Sequence, residues 1–258
     1  MLPSDRVTLF NFLASHDGIG LNPARGILSD AEIDALVAPT LERGGFISYK
    51  HLPDRSQVPY EMNINFFDAL AAHPSAPVES QVGRTLCAHA VQLALAGVPG
   101  IYFHSLFGSR GDRAGAEASG IPRRINRQKL TRAGLESELA SPGSLRSQVF
   151  NGLRALLHAR RNSAAFHPCG QQEIVSADPR LFVVRRTAQH GRESVLCVQN
   201  ISASPVEAKV PERSDRSSTR QSAAEILFGP AGSIVSHRDH TRVSLAPHGV
   251  AWARFAAT

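Results

Sequence analysis

Cysteine is scarce in this chain. There are three in 258 residues, Cys87, Cys169 and Cys197, far apart and without CxxC spacing. That argues against a disulfide scaffold and a structural thiolate metal site, and it fits reduced thiols in a cytoplasm. Aromatic residues make up only 6%, and no nucleic-acid recognition motif or basic stripe is present. The net charge of +6 and pI of about 9.8 therefore do not read as a nucleic-acid binder. The arginines are scattered from end to end and read as a solvated surface. No run approaches the ~20 apolar residues of a membrane span. The start, Met1-Leu2-Pro3-Ser4-Asp5-Arg6, lacks the basic-then-apolar order of a secretory leader, so the expected location is cytoplasmic.

What is there suits a globular protein. Hydrophobic residues reach 42% and charged residues 19%, in a length that suits one large or two ordinary domains. No internal repeat is visible. The apolar run Val7 to Ala14 predicts a short buried strand, ended by His16-Asp17 and broken into a loop by Gly18 and Gly20. Ser29-Asp30 followed by Glu32 marks a helix start, with Ile33, Leu36, Val37 and Leu41 as its apolar face. Phe46 to Lys50 is a strand candidate. Pro53 to Gln57 and Val58 to Asn65 read as loop.

A long helix is predicted from about Pro77 to Ala96, with Val78, Val82, Leu86, Ala90 and Leu93 recurring on one face. Pro99 to His104 reads as a second buried strand. Strand, helix, strand is a βαβ pattern, which predicts a parallel pair. Gly108 to Pro122 reads as a Gly- and charge-rich loop. Helices follow at Arg132 to Ala140 and Ser144 to Arg161. From Pro168 on the texture changes to short β-like runs separated by turns, at Arg180 to Arg186, Glu193 to Gln199, Val206 to Val210, Glu225 to Phe228, Ser233 to Ser236, Arg242 to Leu245 and Val250 to Phe255, an antiparallel β domain. Within it, Arg213 to Ser222 reads as a Ser/Arg-rich loop.

Four clusters carry polar groups with chemical potential. His16 and Asp17 sit at the C-terminal end of the first strand, where α/β barrels place their chemistry; taken alone, Asp17 can equally cap a turn and His16 be a satisfied polar residue. Ser15-His16-Asp17 is not a hydrolase triad, because neighbouring residues diverge in direction. Tyr60, Glu61 and Asn63 form a second cluster, of which Tyr60 and Asn63 can simply satisfy backbone. Tyr102 and Phe103 read as core, while His104 and Arg110 either line a pocket or pair locally. Arg123, Arg124 and Arg127 form the fourth cluster, or a surface patch. The other histidines, His237 and His240 among them, lack metal-ligand context, so no metal is expected.

The run Asn11-Phe12-Leu13-Ala14-Ser15-His16-Asp17-Gly18-Ile19-Gly20 closely resembles the last signature of the α-amylase clan (glycoside hydrolase family 13), in its sucrose phosphorylase branch. Tyr60-Glu61-Met62-Asn63-Ile64-Asn65 and Ile125-Asn126-Arg127 are similar to further stretches of that branch. The resemblance implies that Asp17 stabilises the transition state, that His16 binds sugar hydroxyls, and that Tyr60 and Glu61 face the acceptor sugar or phosphate. It also implies that Arg127 reaches the glucosyl subsite and pairs there with a carboxylate, which the sequence does not identify. The implied partners are an α-glucoside and inorganic phosphate as co-substrate, with no metal or organic cofactor. The resemblance spans residues 7 to about 165 well, and the β region more loosely.

A retaining mechanism needs two carboxyl groups about 5 Å apart. The family's nucleophile signature, Gly-x-Arg-x-Asp, and its acid/base Glu signature are both absent. Only two barrel strands are recognisable. The expectation is therefore an α/β chain: the C-terminal portion of a (β/α)8 TIM barrel (its last two strands and their helices) in residues 1–167, then a small antiparallel β domain in 168–258. By itself it is expected to be inactive, and to be marginally stable, to aggregate, or to need the missing N-terminal part of the barrel as partner. Sucrose, sucrose 6-phosphate, glucosylglycerate and glucosylglycerol phosphorylases resemble one another here, and the Tyr60–Asn65 stretch inclines toward the group outside classical sucrose phosphorylase. A hydrolase or transglucosylase fragment of the same clan, and a non-catalytic sugar-binding remnant, remain as alternatives.

Overall fold

The computed structural model describes residues 7–71, 73, 75–175, 177–211, 224–237 and 239–256. In chain order the first elements are β1 (Phe10–Asn11), β2 (Ile19–Gly20), α1 (Asp30–Asp34), α2 (Val37–Glu42), β3 (Phe46–His51) and β4 (Gln57–Asn63). Then come α3 (Phe66–Leu70), α4 (Val78–Ala94), β5 (Val98–Pro99), α5 (Phe103–Leu106), α6 (Arg113–Ser119), a 3-10 turn at Pro122–Asn126, α7 (Arg132–Ala140) and α8 (Leu145–Arg161). The strands β6 (Gln171–Ile174), β7 (Leu181–Thr187), β8 (Glu193–Asn200), β9 (Val206–Pro211), β10 (Glu225–Phe228), β11 (Ile234–Ser236), β12 (His240–Leu245) and β13 (Val250–Ala256) complete it. These elements divide between two compact units, neither continuous in sequence. One holds Met1–Asn11, Val82–Gly100 and Asn151–Thr258, the other Phe12–Gln81 and Ile101–Phe150.

In the first unit β1 and β5 pair in parallel, Phe10 opposite Val98 and Asn11 opposite Pro99. The βαβ pattern predicts this direction. The strands are shorter than the apolar runs suggest, and the second ends at Pro99, giving way to α5 at Phe103. They are also not buried: Phe10 is 66% exposed, and Leu9 and Val98 are exposed too. A two-stranded sheet cannot enclose its own apolar side chains. Gln92 of α4 fastens the pair, its amide donating to the carbonyls of Asn11 (2.9 Å) and Gly100 (2.8 Å). Gly97 enters β5 at φ +119°, and a Cβ there would lie 2.6 Å from the Leu9 carbonyl oxygen. Only glycine fits both the backbone and the space.

The antiparallel strands form a five-stranded sheet, β10-β13-β8-β7-β6, and a three-stranded sheet, β11-β12-β9. Val183, Leu196, Val198, Ala251 and Phe255 from the first, with Val206, Val210, Val243 and Leu245 from the second, form one apolar core. The sequence foreshadows seven of these strands. It misses β6, whose Gln171-Gln172-Glu173-Ile174 carries no apolar alternation and is exposed throughout. The Arg213–Ser222 stretch lies outside the described residues.

Several arginines of this unit are not solvated, contrary to the sequence reading. Arg186 is fully buried, donating to the carbonyls of Ala94 (3.1 Å), His167 (2.9 Å) and Gln171 (3.2 Å). Arg160 does the same for Leu93, Gly97 and Phe166.

The second unit is built on a small antiparallel sheet, β2-β4-β3, over a core of Leu21, Ile33, Met62 and Ile64. Ser29 and Glu32 form the capping box that starts α1. The single helix predicted from there breaks in two, and Leu36 and Leu41 stay exposed. Pro39 is the cause: it cannot donate to the carbonyl four residues back, so it is tolerated only in the first turn of a new helix.

The Val58–Asn65 loop reading is also corrected, since Gln57–Asn63 is strand β4. Pro59, which suggests a loop, is accommodated beside an irregularity in the β3–β4 register between Ser48 and Tyr49. The Gly108–Pro122 loop contains α6. Asp112 caps it by accepting from the Gly115 N–H (3.0 Å), and Gly120 ends it in the left-handed region at φ +65°.

Candidate active-site half

The second unit brings His16, Asp17, Glu61, Arg123 and Arg127 together. The loop after β1 is pinned at its own backbone. The Asp17 N–H donates to Ser15 Oγ (3.1 Å), and the Asn126 amide donates to the Asp17 carbonyl (2.9 Å). Arg127 Nε donates to the His16 carbonyl (3.0 Å). Gly18 lets this loop lie against β4: a Cβ there would stand 2.6 Å from the Met62 carbonyl oxygen and 2.7 Å from Glu61 Cγ.

The partner of Arg127 that the sequence does not identify is Asp17, with Nη2 3.2 Å from Oδ1. Arg123 Nη1 approaches the same oxygen at 3.6 Å, while its Nε donates to Glu61 Oε2 at 3.0 Å. The other Asp17 oxygen, Oδ2, faces the His16 ring at 3.7 Å. Asp17 is thus a half-exposed carboxylate, 39% accessible at its side chain, held at Oδ1 by arginine and flanked at Oδ2 by His16. Two carboxylates and two guanidiniums cancel in charge across the cluster.

Tyr60 and Glu61 behave differently, as adjacent residues on a strand must, because successive side chains leave opposite faces. Glu61 is buried, 6% exposed at its side chain, and is paired with Arg123. A buried carboxylate requires such a partner. Tyr60 is half-buried, and its N-terminal-side neighbour in space is Leu21, whose N–H donates to the Tyr60 carbonyl (2.8 Å). Arg123 is held above the usual guanidinium range, first by its hydrogen bond to Glu61 and then by the charges of Glu61 and Asp17, with Tyr60 a smaller contributor.

Arg123, Asn126 and Tyr102 join the site although sequence reasoning passes over them or sets them aside. The signal for Arg123 is only its closeness in sequence to Arg127, at the other end of the Pro122–Asn126 3-10 turn. Tyr102 reads as core, yet its hydroxyl donates to the Asn126 carbonyl (2.7 Å). Burial pushes that hydroxyl's pKa up, with Arg127 opposing and Asp17 reinforcing the shift.

His104 and Arg110 pair locally. The His104 ring donates to the Gln128 carbonyl and accepts from the Ser109 hydroxyl (2.9 Å), which in turn accepts from Arg146 (2.8 Å). Burial and then the Arg146 charge depress its pKa. Arg110 is held by Asp68 (3.0 Å) and Gln81 (2.7 Å). Among the described residues no group of three or more His, Cys, Asp or Glu side chains could hold a metal ion, and no helix is long and apolar enough to cross a membrane.

No protein-family model matches the chain. It is 43% identical over 252 residues to a glucosylglycerate phosphorylase of Spirochaeta thermophila, covering 96% of this chain and 42% of the relative. It is 47% identical over 205 residues to a glucosylglycerate phosphorylase of Allomeiothermus silvanus, covering 79% of this chain and 36% of the relative. The chain therefore spans about two fifths of the length of the curated relatives it matches. Among solved structures, the sucrose 6F-phosphate phosphorylase of Thermoanaerobacter thermosaccharolyticum superposes with a TM-score of 0.63 over 78% of this chain and 38% of that one, at 18% identity, a likeness of fold.

Proposed function

We propose, for a chain that belongs to the glucosylglycerate and sucrose phosphorylase-like enzymes of the α-amylase clan (glycoside hydrolase family 13) and matches their C-terminal region, that it supplies one half of the site for retaining glucosyl transfer from an α-glucoside to inorganic phosphate. In this reading residues 1–167 are the last two strands and helices of a (β/α)8 barrel, and residues 168–258 its C-terminal β domain. Both curated relatives named above are glucosylglycerate phosphorylases, which favours glycerate as the group exchanged against phosphate.

The observation that carries the reading is the division of labour at Asp17: Oδ1 is held by Arg127 and Oδ2 faces His16, in a carboxylate that is 39% exposed. An oxocarbenium-like transition state gathers positive charge at the anomeric carbon, and a preorganised carboxylate stabilises it without reorganising. Arg127 fixes Asp17 and the loop that bears it. His16, largely exposed beside Asp17, donates to or accepts from the glucosyl hydroxyls. Tyr60 borders the acceptor.

The covalent step requires a carboxylate to attack the anomeric carbon, forming a glucosyl ester and expelling glycerate, while a carboxylic acid gives its proton to the departing oxygen. Phosphate then attacks the anomeric carbon, giving a proton back to the group that acted as acid, and the C1–O bond to the nucleophilic carboxylate breaks, yielding α-glucose 1-phosphate. Glu61, buried and paired, is unsuited to either role. The two groups are assigned to sequence outside these 258 residues.

The test is reconstitution. The chain, alone and together with a polypeptide carrying the Gly-x-Arg-x-Asp and Glu signatures, is given glucosylglycerate and phosphate, and α-glucose 1-phosphate is followed. Product is expected only from the mixture, with Asp17→Asn lowering the rate at least about a hundredfold. Turnover by the chain alone, or a mixture indifferent to Asp17→Asn, would sink the proposal.

A further inference from the structure

Arg123 is placed as a recognition group is placed. Its Nε is committed to Glu61 (3.0 Å), and its Nη1 lies 3.6 Å from Asp17 Oδ1, beyond hydrogen-bond reach. Among the described residues its terminal nitrogens make no hydrogen bond, and the side chain is 44% exposed. A guanidinium whose Nε is engaged still offers the end-on pair Nη1 and Nη2, whose parallel N–H groups match two oxygens of a carboxylate or phosphate. The Nη1 end lies on the Asp17 Oδ1 side of the cluster.

Glu61 explains why it points there. A half-exposed arginine ordinarily samples many rotamers. Here a buried carboxylate on β4, with Gly18 packed on its Cγ, holds Nε from below and fixes the plane of the fork. The sequence places Glu61 against the acceptor; the structure turns it away from solvent and onto Arg123.

We infer that Arg123 is the residue that binds the anionic group of the acceptor, and that Glu61 is a positioning residue that aims it. The ligand chemistry is a small oxyanion bearing two coplanar oxygens: the carboxylate of glycerate or an edge of inorganic phosphate. The inference rests on the phosphorylase reading for which ligand arrives, but not for the existence of an oxyanion site. Asp17 and Glu61 disfavour an anion close to themselves, so the ligand is selected by the fork and not by bulk positive charge.

The experiment titrates the 258-residue chain with phosphate, glycerate, glycerol as the neutral analogue, and methyl α-glucoside, followed by calorimetry and by the arginine Nε–H resonances. The expected result is binding of phosphate or glycerate but not glycerol. Arg123→Gln should weaken the anion at least about tenfold and leave the glucoside unchanged. Arg123→Lys, which keeps the charge and the fold but removes the fork, should also weaken it. Glu61→Gln should weaken the anion while speeding solvent exchange of the Arg123 Nε–H, a change that a purely structural role would not confine to that resonance.

Response to phosphate alone assigns the fork to phosphate, and response to glycerate alone assigns it to the carboxylate; either supports the inference. Absence of anion binding, equal binding of glycerol, or anion affinity untouched by Arg123→Gln would overturn it. Loss of glucoside binding with the anion behaviour intact would count against the phosphorylase reading and leave Arg123 standing.

Discussion

Arg127 and Asp17, 110 residues apart in the chain, meet through Nη2 and Oδ1 at 3.2 Å, while the same guanidinium takes the carbonyl of His16 through Nε. One side chain thus fixes both the carboxylate and the peptide before it. Both charged groups are about two-fifths exposed, so solvent and salt screen the pair. Arg127→Ala is expected to change unfolding stability by less than about 1 kcal/mol. It should nonetheless free the loop, read as faster amide exchange at Asp17 and Gly18.

Arg186 presents the opposite case. It is fully buried and donates to several backbone carbonyls at once. Arg186→Met fills the volume but removes the side-chain donor that the Ala94, His167 and Gln171 carbonyls share. A loss of about 3 kcal/mol or more is expected in urea unfolding. A loss below about 1 kcal/mol would show that those carbonyls find other donors.

Three histidines set the acid side of stability. His89 is depressed by burial, His104 by burial and Arg146, and His248 by burial and Arg84. Each has a folded-state value below the ordinary 6.5, so on acidification the unfolded chain takes up protons first. Their contribution is fully present above 6.5 and is lost as the pH falls through the lower folded-state values. Urea midpoints measured between about pH 8 and 5 should be flat at first and then fall, less steeply in His104→Gln.

The sequence makes legible what is local or periodic. The βαβ order, the capping box at Ser29, the long helices and most antiparallel strands follow from spacing and turn residues. Motif resemblance points to Asp17 and Arg127 separately but cannot show that they face each other, because nothing local encodes a contact across 110 residues. Arg123 is hidden for the same reason: beside Arg124 it looks like surface charge until Glu61 is seen beneath it. The buried Arg160 and Arg186 are illegible because composition does not reveal which arginines find backbone carbonyls. Strand β4 is masked by Pro59, which only an irregular register can absorb.

The narrow parallel pair of β1 and β5 bears on the order in which the chain folds. Asn11 and Ala96 are joined by a side-chain bond across 85 residues. Closing a loop of that length costs about 4 kcal/mol of chain entropy, and a ladder of two residues per strand returns little of it. Strand β1 must therefore wait for α4 and Gly97 before it can dock. Its docking is therefore expected late in folding and its release early when the native state fluctuates, read as fast amide exchange at Asn11 and Val98.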